Sequence, residues 1–105
     1  MELIPKELQN TIPKLYETEE IKDPICYLKL FTPDANWSWF ITEISIDSDI
    51  CFGFVISPLT NDGEMGYFSL NELKSIRGKL GLPVERDLWF KPTLLSKIKR
   101  MNCEN

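Results

Sequence analysis

Residues 37–57 read WSWFITEISIDSDICFGFVIS. Two runs of β-branched and aromatic residues flank the short polar segment Asp47-Ser48-Asp49, the composition of two strands joined by a hairpin turn. In the first run, Trp37 to Asp47, the odd positions begin apolar (Trp37, Trp39, Ile41) and turn polar (Glu43, Ser45, Asp47), while Phe40, Ile44 and Ile46 occupy even positions. The apolar face thus changes partway, which implies either a bulge or a strand buried on both faces near its start. The second run, Ile50 to Ser57, sets Ile50, Phe52, Phe54 and Ile56 on one side. Cys51, Gly53 and Val55 fall on the other, small enough for close packing by a helix or a ligand.

Outward from this hairpin, Ile25 to Thr32 reads as a strand between Pro24 and Pro33, and Pro33 to Asn36 as a turn. Pro58 to Glu64, with Asn61-Asp62-Gly63, reads as a polar turn before a short fourth strand over Met65 to Phe68. Ser69 with Glu72 is a capping box that starts a helix carrying Leu70, Leu73 and Ile76, with Gly78 as its C-terminal stop. Leu88 to Phe90 is placed as a fifth, edge strand. Pro92-Thr93 opens a last helix with Leu94, Leu95, Ile98 and Met101 on one face and Lys97, Lys99 and Arg100 on the other. At the other end, Met1 to Asn10 is a short helix with Pro5 near its start, and Pro13 stops it. Consecutive strands with short turns and helices toward the chain ends predict an α+β fold: an antiparallel meander of four to five strands, covered on one face by terminal and C-terminal helices. The 105 residues form one domain, with about 102–105 as a disordered tail.

Charge is distributed unevenly. Between Leu30 and Leu73 there are seven acids and no Lys or Arg; from Lys74 to Met101 eight cations face two acids, a net of +6 inside a chain of net −4. Such asymmetry concerns partners rather than fold. The chain has no histidine, which removes the commonest general base and every Ser-His or Cys-His nucleophile. It carries neither a phosphate-binding GxxxxGKS loop nor a GxGxxG. Three cysteines without close spacing (Cys26, Cys51, Cys103) fit neither a disulfide framework nor a zinc site, and Cys26 and Cys51 read as small apolar strand residues. No apolar run reaches membrane-span length and no signal peptide is evident, so the expectation is a cytoplasmic protein without a membrane partner.

The candidate interaction surface is Asp34, Trp37, Trp39, Glu43, Asp47, Asp49, Arg77 and Arg86. The competing bland readings are turn formation for Asp34, Asp47 and Asp49, core packing for Trp37 and Trp39, and a loop lock for Arg86 within Glu85-Arg86-Asp87. No catalytic, metal or cofactor residue is assigned.

Several stretches together resemble the bacterial family called domain of unknown function 2958: Lys14 to Glu19, Lys22 to Ile25, Phe31 to Asp34 with Trp37 and Trp39, Gly66 to Leu70 with Glu72-Leu73, Ser75 to Gly78, Gly81 to Asp87, and Phe90 to Thr93. The resemblance runs from about Met1 to Lys97. It implies a small protein of the kind carried on plasmids and other mobile elements, and it carries over no site residues. Three functions compete. The first is a non-enzymatic protein-binding, regulatory or anti-defence factor acting through the acidic–aromatic middle. The second is a nucleic-acid accessory protein using Arg77, Lys79, Arg86, Lys91, Lys97 and Arg100. The third is a metal-dependent hydrolase using Asp34, Glu43 and Glu64.

Overall fold

The computed structural model describes residues 3–103, apart from the side chain of Asn61. Four strands follow one another as an antiparallel meander: β2 (Leu28–Phe31), β3 (Ser38–Ile44), β4 (Ile50–Ser57) and β5 (Thr60–Ser69). Two-residue β6 (Glu85–Arg86) returns to the free side of β2, so the open sheet runs β5-β4-β3-β2-β6. A second pair joins β1 (Ile25–Cys26) to β7 (Thr93–Leu94). Helices are α1 (Lys6–Gln9), α2 (Leu70–Ser75) and α3 (Leu95–Cys103). The fold is α+β with a five-stranded antiparallel sheet, as the strand spacing predicts.

Strand β3 resolves the ambiguity in its pattern both ways. Its register with β4 shifts between Ile41 and Glu43, a bulge at Thr42, whose hydroxyl donates to the Phe52 carbonyl at 2.9 Å. It is also buried on both faces from Trp39 to Ile44. One face packs Leu30, Trp39, Ile41 and Cys51 against Ile4, Ile12, Leu70, Leu73 and Val84. The other packs Phe40 and Phe54 against Cys26, Leu95 and Ile98. The sequence reading places the helices together on one face; the N-terminal segment and α2 lie there, and α3 takes the opposite face.

Several boundaries differ for physical reasons. The expected strand over Ile25–Thr32 divides at Tyr27, whose N–H donates to the Ile41 carbonyl, so that β1 turns toward β7. Asn61-Asp62-Gly63 is not a turn: the chain reverses at Pro58-Leu59, and β5 runs straight through these residues. Gly63 has φ +77° there and leaves room for the Phe54 ring, which a Cβ would meet at 2.2 Å. Leu88–Phe90 is a turn, and the edge strand is Glu85–Arg86. The N-terminal helix is one turn long, capped by extended Pro5; Met1 and Glu2 lie outside the described residues. The last helix begins two residues later than expected because Thr93 and Leu94 pair with β1, and it continues through Asn102 and Cys103. Met101 is largely exposed there.

Ser69 caps α2 by accepting from Glu72 N–H at 3.3 Å. The second half of that cap comes from Asp49. Its carboxylate accepts from the Ser69 hydroxyl and from Asn71 N–H, and its carbonyl accepts from Leu70 N–H. Gly78 does not end the helix, since Ile76 is already extended.

Gly53 sits opposite Ile41, and a Cβ there would lie 1.9 Å from the Phe40 carbonyl oxygen. Gly53→Ala must therefore push β4 off β3, with an expected loss of about 1–3 kcal/mol. A urea unfolding midpoint equal to wild type contradicts this packing.

Candidate functional site

The residues singled out as an interaction surface are engaged in hydrogen bonds or packing within the protein, although only Trp39 and Glu43 are buried. Glu43 is 3% exposed. Its carboxylate accepts from the N–H groups of Tyr16 and Thr18, both at 2.9 Å, and from the Thr18 hydroxyl. It thereby pins a loop in which Tyr16 holds φ +72°, an uncommon conformation for a residue with a side chain. Asp34 accepts from Leu80 and Leu82 N–H, at 2.6 and 3.3 Å, and anchors the loop after α2. Gly78 lies against that carboxylate: a Cβ would meet Asp34 Oδ1 at 1.6 Å, which is why glycine stands there. Asp47 accepts from the Ser45 hydroxyl and from Asp49 N–H within the hairpin turn. The Ser45 hydrogen bond, above all, holds the Asp47 carboxyl below its usual range.

The other members follow suit. Trp39 is core, and Trp37 stacks on it with ring centres 5.8 Å apart. Arg77 donates to the carbonyls of Lys74 and Ile76 at the end of α2. Arg86 locks a segment, as its setting suggests, but through the Leu3 carbonyl rather than a carboxylate. The three acids proposed for metal chemistry do not converge: Asp34 holds the 78–82 loop, Glu43 holds the 16–18 loop, and Glu64 is exposed on β5. Among the described residues no group of three or more His, Cys, Asp or Glu could hold a metal ion. Burial pushes the thiols of Cys26 and Cys51 up to about 12, so at neutral pH both act as apolar residues.

Part of the sheet face beside α3 is open. Asp23 fixes this helix by accepting from Ser96 N–H at 2.9 Å and from the Ser96 hydroxyl at 2.7 Å, while Leu95 N–H donates to the Pro24 carbonyl. Leu95 and Ile98 are buried, and Lys97, Lys99 and Arg100 are exposed. Nine residues cannot cover the whole sheet face, and a groove of about 690 Å³ is left between α3, β2–β4 and the 87–93 segment. This volume falls in the range of ligand clefts.

Its floor is apolar, with Phe40, Ile56, Phe90 and Ile98, and the Phe90 ring lies 5.8 Å from that of Phe40. Its cations are Lys29, Lys91 and Lys97, from three separate elements. The Lys29 ammonium sits 5.6 Å from the centre of the Phe40 ring. Among the described lining residues the only acid is Asp87, and it is engaged: Oδ1 accepts from Trp89 N–H at 2.9 Å and its carbonyl accepts from Phe90 N–H. Asp87 N–H in turn donates to the Lys29 carbonyl at 2.9 Å, which ties this turn to β2. The turn presents Trp89, 90% exposed, at the mouth of the groove.

The family model described as "Protein of unknown function (DUF2958)" matches residues 3–101. The chain belongs to the DUF2958 family. No curated protein and no solved structure shows a match to it. The DUF2958 match spans every residue of the groove up to Met101, so the cleft is part of the family domain and not an appendage. Of the groove residues of this DUF2958 protein, the sequence reading places Lys91 and Lys97 among the candidate nucleic-acid contacts. Lys29, Phe40 and Trp89 were missed as site residues, and the one available signal was Lys29 as the lone cation between Asp23 and Leu73. No helix among the described residues is long and apolar enough to cross a membrane.

Two outcomes follow. Glu43→Gln keeps one acceptor but turns an amide N–H₂ toward donors, with an expected loss of about 2 kcal/mol in urea unfolding; an unperturbed protein would mean that Glu43 does not hold the 16–18 loop. The Ser96 hydroxyl and N–H keep Asp23 below its ordinary 3.8. A depressed native pKa contributes stability that is present above that value and lost as the pH falls through the native one. Amide exchange in α3 should therefore accelerate specifically below about pH 3.8, and Asp23→Asn should remove that acid-dependent component.

Proposed function

We propose that this protein is a non-enzymatic binding protein whose working surface is the α3-face groove and whose partner is anionic. One contrast supports this reading. Asp34, Glu43, Asp47 and Asp49 are engaged in holding turns, loops and a helix cap, whereas Lys29, Lys91 and Lys97 converge on an open cleft. A partner that meets Asp34, Glu43, Asp47 or Asp49 would have to compete with those internal hydrogen bonds. A partner that meets the groove finds cations with an apolar floor beneath them. On this reading the binding would serve a regulatory or anti-defence role.

The expected behaviour runs against the net charge of −4. The protein should be retained on heparin resin in 50 mM salt at neutral pH, and a variant with Lys29, Lys91 and Lys97 changed to Glu should flow through. Asp47→Lys, which adds positive charge away from the groove, should leave the specific loss in the triple variant unrescued. Flow-through of the wild-type protein would sink the reading.

A further inference from the structure

We infer that the groove takes single-stranded nucleic acid, with a base stacked on Trp89 and phosphates held by Lys29, Lys91 and Lys97. This rests on the reading of the groove as an anion-binding surface and commits it to one polymer.

Trp89 carries the argument. Its indole is 90% exposed although an apolar cleft lies beside it, because the Asp87 turn holds the backbone there: Oδ1 of Asp87 accepts from Trp89 N–H, and the neighbouring Phe90 ring turns inward onto Phe40. An aromatic side chain presented outward by a hydrogen-bonded turn, next to three lysines, has the two components of a single-strand site: a stacking platform and a cationic track. Stacking asks only for a π-face, so it suits every base, and lysine suits phosphate as a point charge.

A duplex fits this geometry poorly. Its bases are already stacked and its phosphates lie on the outside of a wide cylinder, whereas the groove floor of Phe40 and Ile56 is recessed beside Ile98 of α3. A free nucleotide is also a poor match. Trp89 stands at the mouth while Phe40, 7% exposed, lies at the floor, and the lysines come from β2, the 87–93 segment and α3. Reaching all of these at once calls for linked units. An acidic peptide would satisfy the lysines but leave the exposed indole face without a stacking partner.

The test uses the full chain and fluorescein-labelled 12-mers of dT and of rA at 50 mM salt, read by anisotropy and by quenching of tryptophan emission. Binding should fall about ten-fold in Trp89→Ala and be largely restored in Trp89→Phe. Because Trp89 is exposed, far-UV circular dichroism and the urea midpoint of both variants should match wild type. Changing Lys29, Lys91 and Lys97 together to Gln should reduce the slope of log affinity against log salt by about 2, the value for three single-strand phosphate contacts. Equal affinity for a duplex of the same length, equal affinity for dTMP, tighter binding of a poly-glutamate peptide, or no binding to either 12-mer would each overturn the inference. If the protein is retained on heparin yet ignores both oligonucleotides, the anion-binding groove stands and only the choice of polymer fails.

Discussion

Strand β3 is buried on both faces, and most of the architecture follows from that constraint. A strand with water on one side needs one covering layer, whereas Trp39 and Ile41 on one side and Phe40 on the other need two. The N-terminal segment, α2 and Val84 supply the first layer, and α3 supplies the second. Polar groups on such a strand must find partners inside the protein. Thr42 finds the Phe52 carbonyl across a bulge, and Glu43 finds the 16–18 loop. The bulge and the buried carboxylate are thus two solutions to one problem, that of carrying polar residues through a layer closed on both sides.

Several acids of this chain accept from backbone N–H groups that its many short elements leave without partners. Helices of four and six residues and strands of two have a high share of unpaired ends. Asp23 caps α3, Asp49 completes the cap of α2, Asp34 gathers the 78–82 loop, and Asp87 closes the turn that displays Trp89. A side chain engaged in this way contributes to shape before it contributes to recognition.

The central hairpin, the order of the meander strands and the Ser69 cap were legible because each depends on local alternation or on residues three apart. The errors arose where a local signal had two uses. Asn61-Asp62-Gly63 has turn chemistry, yet Gly63 serves as a kink in a strand whose missing Cβ admits the Phe54 ring. Gly78 resembles a helix stop, yet it makes room for a carboxylate 44 positions earlier in the chain. Pro92-Thr93 resembles a helix start, yet Thr93 pairs with Cys26. In each case the deciding neighbour is remote in sequence.

The residue order already settled that this is an α+β domain built on a β-meander, and that histidine-based chemistry is absent, because alternation, turn composition and residue inventory are properties of short segments. Which charges stay free was decided only when the chain closed on itself. Lys29, Lys91 and Lys97 share one groove because β6 returns to the free edge of β2 and α3 crosses the sheet beside them. Glu43 leaves the surface because a loop 25 residues earlier wraps onto it. Long-range packing assigns each polar group its partner, and what it leaves open is the surface available for binding.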